Sequence, residues 1–156
     1  MRHSLIALSL TGLAALGACA RATSAPAFAE LPPGIAWTPN PAVPEVDLAV
    51  VAGRPQEPGP YAIRVRFRPG VRVMPHTHPE DRVYTILRGV WFVGLGEVFD
   101  STRLGRYPAG SVYVVRAGTA HFHLAREGET VFQVTGTGPS ATRFISPGDS
   151  TRRSPR

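Results

Sequence analysis

A chain of 156 residues suffices for one domain with a substantial core, but not for two. Its formal charge of +6 does not make a nucleic-acid surface: setting aside Arg2, Arg21, Arg152, Arg153 and Arg156 at the two ends leaves twelve arginines against eleven acids. Sixteen glycines and sixteen prolines among short apolar runs exclude a coiled coil and point to an all-β chain rich in turns.

Residues 1–19 read as a signal peptide, with Arg2 and His3 ahead of an apolar run from Leu5 to Ala18 that is too short to span a membrane. Leu16-Gly17-Ala18-Cys19 resembles the bacterial lipobox, and Cys19, the one cysteine, would carry the lipid. The competing reading is ordinary secretion with cleavage after Ala27-Phe28-Ala29. Both predict export, to the periplasm or as a membrane-anchored lipoprotein, with the lipid as the only membrane contact. Residues 20–44 are a proline- and alanine-rich tether or arm. Trp37 is placed to pin that arm to the domain. A strand at 46–51 could pair with a neighbouring sheet edge, even that of a second subunit in a homodimer.

Residues 61–68 alternate, with Tyr61, Ile63, Val65 and Phe67 on one face and Ala62, Arg64, Arg66 and Arg68 on the other. That is the pattern of a half-buried strand. The arginine row reads as a solvated outer face or as an anion site. Pro69-Gly70 turns the chain into a strand at 71–78; Pro79-Glu80-Asp81 turns it again, into a strand from Val83 to Leu87. The apolar strand at 90–96 is interrupted by glycines that mark a close approach of another backbone. Residues 97–107 are polar and irregular, with one helical turn expected after Asp100. Strands at 111–115, 121–125, 130–135 and 141–145 complete about nine short strands at regular spacing, the signature of a sandwich or barrel. The domain is expected over 45–146, with a flexible basic tail at 147–156.

Apart from His3, the five histidines fall into two His-x-His pairs, His76 with His78 and His121 with His123. Residues i and i+2 of a strand share a face, so each pair presents two imidazoles to one point. Two such pairs on neighbouring strands predict a site for a divalent transition metal: iron, zinc, manganese, nickel or copper. Gln133, a polar residue in an apolar strand, suits a hydrogen-bonding role in a pocket.

Gly70, His76-Thr-His78 and Gly89 resemble the first cupin motif, G-x5-H-x-H-x3,4-E-x6-G. Gly110, Gly118 and His121 resemble the second, G-x5-P-x-G-x2-H-x3-N. The resemblance covers about residues 60–146. It implies a double-stranded β-helix or jelly-roll barrel, with His76, His78 and His121 converging on a metal inside. Three positions depart from the pattern: Arg82 stands at the glutamate, Arg116 at the proline and Ala125 at the asparagine. Arginine has no lone pair to give a metal. The fourth ligand is therefore left open between His123, a swung-back Glu80 or Asp81, water, or none.

Arg82 itself has two readings. It points inward with Tyr84, setting a fixed positive charge beside the metal for an anionic small molecule, or it lies at the rim bonded to Glu80 or Asp81. The function implied is that of an exported metal-dependent enzyme of dioxygenase or isomerase type. A non-catalytic metal or small-molecule binder that senses or stores, and an interaction module, are the alternatives.

Overall fold

The computed structural model describes residues 34–41, 43–145 and the backbone of 151–153. The leader at 1–19, Cys19 and most of the expected tether lie outside the described residues. Among those described there is no helix. Twelve strands form two antiparallel sheets.

The first sheet runs in the order β1 (Thr38–Asn40), β2 (Val43–Ala52), β3 (Gly59–Phe67), β10 (Thr130–Gly138), β5 (Arg82–Arg88) and β8 (Val112–Val115). The second runs β11 (Arg143–Phe144), β4 (Val71–Thr77), β9 (His121–Leu124), β6 (Val90–Leu95) and β7 (Gly105–Pro108). β12 (Thr151–Arg153) pairs with the free stretch of β4. Sequence-distant strands lie side by side throughout, as where β10 separates β3 from β5.

The alternation read from 61–68 decides the first sheet. Tyr61, Ile63, Val65 and Phe67 are buried against the second sheet, while Arg64 and Arg66 face outward. The arginine row is partnered rather than free. Asp47 on β2 accepts from Arg66 Nε at 3.1 Å and Nη2 at 2.8 Å, and the Arg66 guanidinium lies 4.5 Å over the Trp37 ring. Arg68 also reaches Asp47, at 3.7 Å. The strand that follows the arm therefore pairs within its own sheet, β2 against β3.

One end of the space between the sheets is filled by aromatic rings. Trp91, wholly buried, sits 4.5 Å from Phe67 and 4.7 Å from Phe132, and its indole N–H donates to Tyr113 Oη at 2.8 Å. Tyr84 and Tyr113 stack at 4.7 Å. These contacts combine large apolar burial with satisfied polar tips, so this end is closed and stiff. The opposite end stays open.

Several expectations change. The helical turn after Asp100 is a turn held by the Asp100 carboxylate, which accepts from Thr102 N at 2.8 Å and Thr102 Oγ1 at 2.6 Å. Short aspartate-backbone bonds of this kind compete with helix. The strands at Thr38–Asn40, Gly105–Pro108 and Thr151–Arg153 arise in stretches read as arm, irregular loop and tail. Each is short and pairs with only one strand. At Gly94 the close neighbour is a ring rather than a backbone, because Phe122 of β9 packs directly on the glycine.

Candidate metal centre and ligand cavity

A β-bulge puts the first histidine pair inside. In the β4–β9 ladder Val73 faces His123 and His76 faces His121, so three residue steps on β4 match two on β9. The extra residue shifts the inward parity from odd to even numbers. Val71 and Val73 are buried before it, His76 and His78 after it. Without the bulge His76 and His78 would share the outer face with Arg72 and Met74. On β9, His121 and His123 point inward, whereas Phe122 is packed against Gly94 and Phe99 on the other face. All four imidazoles are buried.

Three of them are oriented alike. Nδ1 of His76 donates to the Met74 carbonyl at 2.8 Å, Nδ1 of His78 to the Ala141 carbonyl at 2.8 Å, and Nδ1 of His121 to the Thr119 carbonyl at 2.9 Å. A carbonyl can only accept, so each Nδ1 carries the proton and each Nε2 keeps its lone pair. The ligating atoms of these three lie within 4.8 Å of one another. His121 Nε2 is buried with no hydrogen-bond partner among the described residues.

Electrostatics keep the donors neutral. Burial, followed by the His121 and His78 rings, holds His76 well below the ordinary imidazole value. Burial and then the Arg82 charge lower His78 to about 3. Burial lowers His121 to about 4, against the opposing bond to Thr119. Neutral imidazoles with free lone pairs are what a transition metal requires, so this donor set fits one.

His123 packs against that trio without belonging to the converging group. Its ring lies 4.8 Å from both His121 and Trp91, and its Nδ1 is buried without a partner. Burial also holds it well below the ordinary imidazole value. The group whose ligating atoms converge is His76, His78 and His121.

Arg82 is buried rather than at the rim, although it keeps the bond to Glu80 that the rim reading expected. It is 7% exposed and points inward from β5 in the facing sheet. Its Nε donates to Glu80 Oε1 at 2.7 Å, Nη1 to His78 Nε2 at 3.1 Å, and Nη2 to Ser140 Oγ at 2.6 Å and the Ala141 carbonyl at 3.4 Å. The guanidinium thus occupies the lone pair of one of the three converging imidazoles. Burial works against its charge, but Tyr84, Tyr61 and Glu80 outweigh it and keep the group protonated.

Glu80 sits behind this arginine. Its Oε1 also accepts from Tyr61 Oη at 2.8 Å, and its Oε2 is buried without a partner. Burial raises the Glu80 carboxyl, yet the Arg82 charge and the Tyr61 bond overcome this and leave it below its ordinary value. Burial pushes the Tyr61 hydroxyl up to about 12. Asp81 turns away to the surface, bonded to Arg116 at 2.6 Å and to the Ala117 amide at 2.8 Å.

Between the sheets, at the end away from Trp91 and Tyr113, lies a cavity of about 240 Å³. Ile63, Val65, Phe132 and Val134 line its apolar wall, and His76, His78, Arg82, Tyr84 and His123 its polar one. Gln133 is excluded from it. Phe132 and Val134 take the inner face of β10, so Gln133 between them faces outward, 3.5 Å from Arg64 Nε. Ser140 and Ala141, which sequence reasoning left unmarked, help frame both Arg82 and His78. Their role depends on a backbone carbonyl and a loop position, which leave no sequence signature.

No protein-family model matches the chain, and no curated protein matches it. Solved structures do. RemF, a polyketide cyclase from Streptomyces resistomycificus, aligns with a TM-score of 0.61 at 15% identity over 74% of this chain and 83% of its own. DddQ, a DMSP lyase from Ruegeria pomeroyi DSS-3, aligns at 0.58 and 17% identity over 69% and 55%. KdgF from Halomonas sp. aligns at 0.52 and 23% identity over 66% and 86%. These neighbours are cupin-family proteins, and their likeness to the two antiparallel sheets described above shows the fold: this chain has the cupin jelly-roll fold.

Proposed function

We propose that this protein is an exported, metal-dependent cupin enzyme acting on a small anionic molecule, with His76, His78 and His121 as the metal ligands. The observation that carries the reading is the orientation of the three imidazoles, each with Nδ1 tied to a carbonyl and Nε2 turned to a common point. A divalent metal held there would supply Lewis-acid or oxygen-binding chemistry of the isomerase or dioxygenase kind.

The chain's own residues supply the rest. The apolar wall of Ile63, Val65, Phe132 and Val134 accepts a hydrocarbon body and excludes water from it. Arg82, charged and fixed by Glu80 and Ser140, faces the same cavity and would orient a carboxylate or enolate. The enzyme reading is further supported by neighbours of the same fold, named as a polyketide cyclase and a DMSP lyase. A non-catalytic binding role is the second reading, favoured by the charged Arg82 beside an apolar wall, an arrangement that suits holding an anion whether or not it reacts.

Metal analysis of the full chain, purified without an affinity tag, tests the site. Wild type should carry close to one equivalent of a transition metal, and His76→Ala, His78→Ala or His121→Ala should each lower it sharply. Equal metal content in all four would end the reading. Export and lipidation are tested by fractionation. Cys19→Ser should release membrane-bound protein, whereas a wild type that is already soluble favours ordinary secretion.

A further inference from the structure

All three guanidinium nitrogens of Arg82 donate. Nε goes to Glu80, Nη2 to Ser140 and Ala141, and Nη1 to His78 Nε2. Three of these four acceptors are oxygens outside the converging imidazole group, and two of them are shared, Glu80 Oε1 with Tyr61 and the Ala141 carbonyl with His78 Nδ1. The fourth, His78 Nε2, is the lone pair a metal would take. An imidazole nitrogen can accept one proton donor or bind one metal, so the two uses exclude each other.

We propose that Arg82 couples metal loading to anion binding: it competes with the metal for His78, and a small carboxylate is the ligand that resolves the competition. This rests on the metal-site reading above. Ligation of His78 strips Nη1 of its acceptor, yet the guanidinium cannot withdraw, because Glu80 and Ser140 hold its other edge within a buried pocket. An unpaired, buried N–H of a charged group is costly, and a second cation beside it adds repulsion. A carboxylate relieves both costs, with one oxygen accepting from Nη1 and its charge balancing the added cation. The cavity that His78 and Arg82 share has room for such an anion with an apolar body against Phe132 and Val134. Reciprocity then requires that the anion tighten the metal as much as the metal tightens the anion.

The test is a cobalt(II) titration of the full chain, followed by absorbance and by competition with a chelator, with and without benzoate. It compares wild type, Arg82→Met, His78→Ala and the double variant. Thermal unfolding checks that each is folded, and Arg82→Met with Glu80→Gln replaces Arg82→Met if the lone Glu80 charge unfolds it. In wild type benzoate should tighten cobalt on the order of tenfold, the usual scale of a hydrogen bond to a charged group. Arg82→Met should bind cobalt about tenfold tighter without benzoate and lose most of the benzoate effect. In the His78→Ala background the same substitution should gain nothing.

Equal cobalt affinity and equal benzoate response in wild type and Arg82→Met would overturn the coupling while leaving the metal site standing. An undiminished gain in the His78→Ala background would reduce Arg82 to a distant charge and overturn it too. Cobalt binding by none of the folded variants would overturn the metal site and the coupling together.

Discussion

Acidifying the metal-free protein from pH 7 to pH 5 should remove several kcal/mol of stability. In the unfolded chain His78 and His121 titrate near 6.5, whereas in the fold burial lowers them to about 3 and about 4. Between those limits the unfolded state binds more protons than the native one. Stability is therefore complete above about 6.5, falls as the pH drops through that value, and goes on falling until the folded groups themselves protonate. For one such histidine the loss between pH 7 and pH 5 is about 2 kcal/mol, and about 4 kcal/mol for the two. His76 and His123 are lowered as well and act in the same direction. Against a domain stability of roughly 5–15 kcal/mol this is a large fraction. Glu80, whose carboxyl lies below its ordinary value, loses its contribution only at more acid pH and leaves this window to the imidazoles. The assay is urea unfolding in the presence of a chelator at the two pH values, for wild type and for His78→Gln with His121→Gln. The double variant should lose markedly less on acidification. A wild-type stability that changes by less than about 1 kcal/mol would mean that the buried rings protonate in place, and the neutral donor set inferred here would be wrong.

Three further outcomes follow from the packing. Gly94→Ala drives a methyl group into the buried Phe122 ring, so it should cost about 1–3 kcal/mol in urea unfolding. Asp47→Ala leaves Arg66 and Arg68 without the carboxylate that ties β2 to β3. It should cost about 1–3 kcal/mol and speed amide exchange in β2 before the rest of the sheet. His123→Phe replaces a ring whose Nδ1 has no partner, so stability should stay within about 1 kcal/mol of wild type. Bound metal, measured on the same sample, should be unchanged because His123 lies outside the converging trio.

Much of the architecture is a local property of the chain. The strict alternation of 61–68 forces one apolar and one arginine face whatever packs against them, and β3 takes up that arrangement. Paired histidines two apart must share a face, and glycines such as Gly70, Gly89, Gly110 and Gly118 mark chain reversals because all four have positive φ. What alternation alone leaves open is which face is the inner one. For β4 the answer depends on one extra residue between Val73 and His76, set by pairing with a strand some fifty positions away. For Gln133 it depends on Phe132 and Val134 both meeting the second sheet. Arg82 is the clearest case. Its own residue type says only that it cannot ligate a metal. That its guanidinium reaches Glu80, His78, Ser140 and Ala141 at once follows from bringing β5, the end of β4 and the loop before β11 to one point. Sequence determined the faces and the turns, because these depend on neighbours along the chain. The tertiary structure decided which faces meet and which lone pairs stay free, because these depend on residues that are neighbours only in space.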